Sequence, residues 1–169
     1  MPSTPPTWAL ALLYWIHFLA TVAWFGSLAA ISILVLPASN RTLEPADRLR
    51  FTSALQKRLE PIAWFSMGLL VVTGLFQMSA NEHYNGFLSI STQWSLAILV
   101  KHSIAVILVV VSAIHTWEVL PAIQRTLMKK DKAAPEELIK LEKRETTLLR
   151  ISLFLAALIL IATAVARSA

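Results

Sequence analysis

The chain contains no cysteine among its 169 residues, and this absence excludes several kinds of chemistry at once. Disulfide bonds, cysteine zinc sites, iron–sulfur ligation and thiol catalysis are all ruled out. Charged residues are also scarce, at 15% of the chain, against roughly a quarter in a soluble domain. The first 40 residues contain no Lys or Arg, so they lack the basic segment that opens a secretory signal peptide.

Long apolar runs stand where a soluble protein would carry charge. Hydrophobic residues make up 56% of the chain, and the mean hydropathy is +0.63. Four runs are long enough to cross a bilayer, which takes about 20 mostly apolar residues. They cover residues 8–36, 61–79, 94–120 and 148–166. The sequence therefore predicts an all-α fold, a transmembrane four-helix bundle that forms a single domain over residues 1–169.

Prolines stand at three of the predicted span boundaries. Pro37 follows the first run and Pro121 follows the third, so we expect both spans to end there. Pro61 opens the second run. Proline suits the first turn of a helix, because its missing N–H has no partner there in any case.

The basic residues are concentrated in two connections, residues 41–58 and 125–144, while residues 61–100 contain none. The positive-inside rule places both connections in the cytoplasm and both chain ends outside. We expect short amphipathic helices in these connections. This asymmetry accounts for the pI near 9.9 without nucleic acid. It indicates an integral protein of a bacterial inner membrane, whose partner is the lipid bilayer; a homo-oligomer and a larger membrane complex both stay open.

Three ionisable residues lie deep inside the apolar runs, His17, Lys101 and His102, while His115 lies nearer the inner end of the third run. Such residues are expensive in lipid and are functional candidates by default. His17 follows Trp8 by nine residues and His102 follows Trp94 by eight. At 1.5 Å per residue, both histidines lie roughly 12–14 Å inside their tryptophans. The two rings are therefore predicted to share one level of the bundle.

Two imidazoles that face each other can clamp a haem iron from both sides. His17 and His102 are the predicted iron ligands, with Trp24 as apolar lining and Gly26 and Gly74 leaving room beside their helices. A copper ion held by the same two histidines and Met78 is the alternative metal site. The plainer interpretation is that each ring bonds to a neighbouring helix while the glycines allow close packing.

Two further side chains are weighed beside this pair. Lys101 either extends to the outer headgroups or faces the cavity, where it would meet a propionate or another carboxylate. His115 is a secondary candidate ligand, because it follows His102 by 13 positions, which turn an ideal helix about 220° past whole turns. His115 is expected to pair with Glu118 instead.

Three stretches of the chain resemble the CopD-type copper-resistance membrane domains. They are "YWIHFLATVAWFGSLAAISILVLPA", "FSMGLLVVTGLFQM" and "WSLAILVKHSIAVILVVVSAIHTWEVLPAIQR", and the resemblance spans roughly residues 12–125. The related HemJ-like membrane proteins share this four-helix plan. They are associated with haem b and with oxidation of protoporphyrinogen, and their first-helix His and third-helix Lys match His17 and Lys101.

Three functions follow as hypotheses. The first is a haem-b-binding membrane protein of the CopD/HemJ type, in electron transfer or porphyrin redox chemistry, which leaves a membrane oxidoreductase activity open. The second is a copper transport or resistance protein. The third is a cofactor-free accessory subunit of a larger membrane complex. The sequence contains no G-x-S-x-G, H-E-x-x-H or phosphate-binding glycine loop, so it gives no sign of hydrolase chemistry.

Overall fold

The computed structural model describes residues 6–84, 86–128 and 135–168. Within these ranges the protein forms four long helices and no strand. They are α1 (Thr7–Thr42), α2 (Pro45–Ser79), α3 (Gln93–Met128) and α4 (Pro135–Ser168). Each is long and apolar enough to span a membrane, which confirms the predicted all-α transmembrane fold.

The helices pack as two close pairs. α1 lies against α2 and α3 lies against α4, and the pairs join mainly through contacts of α4 with α1 and α2. In the described residues α1 and α3 form no such packing interface with each other, so they stand diagonally across the bundle. Because the helices alternate in direction, both chain ends lie at the same end of the bundle.

A buried cluster marks the middle of the bundle, with one residue from each helix: Trp24, Met67, Leu108 and Ala156. We call the side nearer the chain ends the terminal half. It contains residues 7–23, 68–107 and 157–168. We call the other side the basic half, since both basic connections adjoin it. It contains residues 25–66, 109–128 and 135–155.

The outer surface of the bundle is apolar along its length. Phe18, Val106 and Phe154 are each about two-thirds exposed, at 66%, 64% and 64%. Large apolar side chains in this number would be unfavourable against water, and they suit a surface that faces lipid chains.

The helices continue through Pro37 and Pro121, so neither proline ends its helix, and the positions at which the membrane spans end stay a prediction. Each proline follows a π-helical turn, Ala30–Val35 in α1 and His115–Val119 in α3. Proline lacks an N–H, and its ring pushes against the carbonyl four residues earlier. A wider turn just before the ring shifts the hydrogen-bond ladder and lets the helix continue.

Pro61 lies inside α2, so the prediction that it opens a helix is wrong. Pro45 occupies the first turn instead. Residues 45–60 form the basic-half extension of α2, and their inward face includes Leu49 and Gln56, exposed by 1% and 4%. Burial of this face outweighs the roughly 3 kcal/mol cost of an interior proline. α4 likewise includes the basic segment before its apolar run; Lys129, Lys130 and Lys132 lie outside the described residues.

Candidate functional site

His17 is fixed on the face of α1 that packs against α2. Its Nδ1 lies 2.7 Å from Thr73 Oγ1, and that hydroxyl donates its own proton to the Leu69 carbonyl at 2.6 Å. A hydroxyl has one proton, so His17 Nδ1 must donate to Thr73. The lone pair of the ring is then on Nε2.

Two cations share the surroundings of His17. The charges of Lys101 on α3 and Arg167 on α4 both act on its ring, and the Arg167 guanidinium lies 5.1 Å from the centre of the Tyr14 ring. Glu82 is the sole acidic residue in the terminal half, and it is exposed on the α2–α3 connection. The His17 region is therefore positively charged. Arg167 is not a candidate on the sequence alone, because only the packing of α4 places it over Tyr14 of α1.

His102 occupies a different environment. Its Nδ1 lies 2.7 Å from the Ile98 carbonyl, one turn earlier on α3. A carbonyl can only accept, so this nitrogen donates. The ring also meets Phe87 of the α2–α3 connection edge-on, with centroids 5.1 Å apart.

The described residues show no hydrogen bond or ring contact between His17 and His102. The two rings sit on diagonal helices, and each has its own partner. Met78 is buried among Trp94, Ala97 and Ala166. A haem clamp formed by the two histidines, and a copper site that adds Met78, therefore both stay predictions.

The remaining predicted lining residues are spread through the bundle. Trp24 is 8% exposed in the central cluster. Gly26 is exposed, and a Cβ built on it would meet nothing within 4 Å. A Cβ on Gly74 would meet His17 Cε1 at 3.5 Å, an ordinary van der Waals contact.

A cavity of about 90 Å³ lies in the basic half, lined by residues of all four helices. His115, Glu60, Gln56 and Met67 are among its lining residues. On the sequence alone His115 is only a secondary candidate, and Gln56 and Glu60 are not candidates. A signal was present, because Gln56, Glu60 and Met67 recur at helical spacing on one face of α2.

The predicted pair of His115 with Glu118 is wrong. Glu118 accepts from Arg144 at 2.7 Å instead, and His115 Nε2 is buried without a hydrogen-bond partner in the described residues. His115 is the first residue of the π-helical turn in α3. The helix there departs from the ideal rotation on which the prediction relied.

A second polar group of the basic half is buried between α2 and α4. Glu145 is 1% exposed. It accepts from Gln56 Nε2 at 2.7 Å and from Thr52 Oγ1 at 3.4 Å. No sequence pattern predicts this group, because a glutamate beside a basic connection is expected to face water.

Within the described ranges, no three or more His, Asp or Glu side chains form a group that could hold a metal ion by themselves. The model of the CopD family, copper resistance protein D, matches residues 53–166, more than half of the chain. Lys101, His102 and His115 fall within the match, whereas His17 precedes it. No curated protein and no solved structure matches the chain.

Proposed function

Because the chain belongs to the copper resistance protein D family, we propose that it is a membrane protein that takes copper through the bilayer as cargo. The family match is the observation that carries this proposal. Four helices long and apolar enough to span a membrane make it an integral membrane protein. The copper-resistance class was the second hypothesis from the sequence, and it now has more support than the first.

The side chains inside the bundle are compatible with copper in its reduced state. Soft thioether ligands favour Cu(I), and imidazole also binds copper. Met67 and Met78 are both buried, and three histidines lie on the spanning helices. The chain contains no cysteine, so thioether and imidazole are the ligands it can offer.

Haem b and electron transfer have less support. The cavity beside His115 measures about 90 Å³, whereas pockets for drug-sized ligands measure roughly 300–1,000 Å³. A second pocket of about 400 Å³ is lined by residues of α1, α2 and the connection between them, and these include no histidine and no methionine. Haem binding stays a prediction, as does the role of a cofactor-free accessory subunit.

We also propose that the protein resides in a bacterial inner membrane with its basic half toward the cytoplasm. The basic residues of the two connections support this orientation, since Lys and Arg are retained on the cytoplasmic side.

Reconstitution into liposomes tests the copper proposal. Purified full-length protein is placed in liposomes that hold a Cu(I)-sensitive dye, and ascorbate-reduced copper is added outside. We expect saturable copper entry above that of protein-free liposomes. A protein that neither binds copper nor changes its entry would contradict the proposal. A visible spectrum of the same preparation with split absorption bands on reduction would favour haem binding over copper transport.

A further inference from the structure

Two wide helical turns border the cavity of the basic half. The π-helical turn of α1 contributes Ile31 to its wall, and the turn of α3 contributes His115. Turns of this type are frequent at functional sites. Their meeting at one cavity, from two diagonal helices, makes this the least regular level of the bundle.

The cavity also collects buried atoms that lack partners. In the described part of the chain, five buried side-chain nitrogen or oxygen atoms have no hydrogen-bond partner. Three of the five belong to residues that line this cavity: Gln56 Oε1, Glu60 Oε1 and His115 Nε2. Buried polar atoms are normally paired, so this concentration calls for an explanation, and an occupant that pairs with all three atoms is the simplest one.

The chemical type of these three atoms indicates the charge of the occupant. An amide oxygen and a carboxylate oxygen can only accept, and a neutral imidazole offers one nitrogen with a lone pair. Among the described residues that line the cavity there is no Lys or Arg. A cavity whose unpaired atoms carry lone pairs, and which includes a carboxylate, attracts a positive ion.

We propose that this cavity is a copper site, in which His115 Nε2 and Met67 Sδ bind Cu(I) and the Glu60 carboxylate balances its charge. The inference rests on the proposed function and adds the residues that would perform it. Met67 is 9% exposed and lines the same cavity from α2. It supplies the soft ligand that selects reduced copper.

The size and the ligand types favour copper over harder cations. Calcium takes six to eight oxygen ligands, and magnesium requires near-ideal octahedral geometry with several waters retained. A cavity of about 90 Å³ has room for an ion and a few waters. One imidazole, one thioether and few oxygens suit a soft ion of low coordination number.

The terminal half is a poorer place for a cation. The charges of Lys101 and Arg167 both act on His17, and positive charges near a site disfavour the binding of another one. Among the described residues, the His115 cavity has no basic side chain in its lining. His115 is therefore a better ligand for a cation than His17.

Cu(I) titration of the purified full-length protein tests the proposal. Ascorbate-reduced copper is added without oxygen in competition with a chromophoric Cu(I) chelator, for wild type, His115→Ala, Met67→Leu and Glu60→Gln. Since second-shell changes already weaken metal sites about 10- to 100-fold, we expect His115→Ala and Met67→Leu each to lose at least tenfold in affinity. Glu60→Gln should lose less, because it removes charge and no ligand. X-ray absorption should lose the sulfur signal in Met67→Leu.

Matched variants control for the residue type. His83→Ala removes an exposed histidine of the α2–α3 connection, and Met128→Leu removes a methionine that is 73% exposed. Both should bind copper like wild type. Met67→Leu conserves volume and should fold, so the test survives if His115→Ala does not.

The possible results separate the site from the function. If wild type binds copper, and His17→Ala or His102→Ala abolishes it while the basic-half variants do not, the cavity is not the site and the proposed function stands. If copper affinity is equal in all variants, the cavity holds only water and the inference fails. If wild type itself binds no copper and passes none, the proposed function fails with it.

Discussion

In the terminal half, His17 shares its surroundings with Lys101 and Arg167, whereas in the basic half His115 shares a cavity with Glu60 and Gln56. The first imidazole donates to a threonine and is surrounded by positive charge. The second has an unpaired nitrogen, in a cavity whose lining includes a carboxylate. Two histidines inside one bundle thus differ in what they can bind, because the charge around each ring differs in sign.

The acidic residues explain this difference. Nine of the ten Asp and Glu residues lie in the basic half or its connections, and Glu82 is the exception. The basic half therefore holds both signs of charge and forms internal pairs, while the terminal half holds Lys101 and Arg167 with no internal acid. The depth of a histidine in the membrane can be counted from the sequence, but it does not predict the charge around the ring. The placement of the acidic residues decides that charge.

The orientation of the two halves gives the largest expected effect. The chain has no cysteine, so Thr42→Cys and Ser91→Cys each introduce a single thiol at an exposed position, one at each end of the bundle. If the basic half faces the cytoplasm, a membrane-impermeant maleimide should label position 91 in intact cells and position 42 only after lysis. The reverse pattern would invert the assignment of both halves.

Glu145 should dominate the stability of the basic half. Glu145→Ala leaves Gln56 and Thr52 without their shared acceptor and opens a void at a position that is 1% exposed. We expect a loss of about 2–4 kcal/mol, measured as a lowered midpoint of thermal unfolding in detergent. Glu145→Gln keeps an acceptor of the same size and should lose much less. Glu136→Ala, at an exposed site on the same helix, should be silent.

The Arg48–Glu142 ion pair should contribute a smaller amount. Its side chains are 16% and 17% exposed, whereas those of the Arg50–Asp47 pair are both 61% exposed. Arg48→Met leaves a half-buried carboxylate unpaired, and we expect a loss of about 1–2 kcal/mol. Arg50→Met should change stability by less than about 0.5 kcal/mol. Equal effects of the two variants would show that burial does not decide how much each ion pair contributes to stability.

The spans could be predicted from the sequence because apolar length is a local property. The ends of the helices could not be predicted in this way. The cost of proline at positions 37, 61 and 121 is also local, but contacts made by Leu49 and Gln56 with distant parts of the chain outweigh it at Pro61. At Pro37 and Pro121 a π-helical turn absorbs the misfit, and no residue pattern announces such a turn.

The candidate site shows the same limit. Matched depth of His17 and His102 follows from counting residues, but which helices are neighbours does not. α1 and α3 turn out to be diagonal. His115 is only a secondary candidate on the sequence, because an ideal helix turns it away from His102. In the structure it lines a cavity with Glu60 and Gln56, which lie more than 50 positions away in sequence.

In the terminal half, Thr73→Val should have a modest effect on stability and none on copper affinity. The variant removes the hydroxyl that pairs with His17 at 2.7 Å and keeps the side-chain volume. Hydrogen bonds between membrane helices average about 0.6 kcal/mol, so we expect a loss of about 0.5–1 kcal/mol in thermal unfolding. Thr73→Ser keeps the hydroxyl and serves as the control. A tenfold change in copper affinity in Thr73→Val would place the metal at His17 and reverse the comparison between the halves.

The smallest effect is expected at Gly74, beside the same ring. A Cβ at this position would meet His17 Cε1 at 3.5 Å, so alanine fits without displacing its neighbour. Alanine favours a helix over glycine by about 1 kcal/mol, and we expect Gly74→Ala to be neutral or stabilising by up to that amount in thermal unfolding. Gly26→Ala, where a Cβ would meet nothing within 4 Å, should behave alike. If Gly74→Ala instead lowers the unfolding midpoint while Gly26→Ala does not, the added Cβ displaces the His17 ring, and the packing of α1 on α2 at this level is tighter than the 3.5 Å contact indicates.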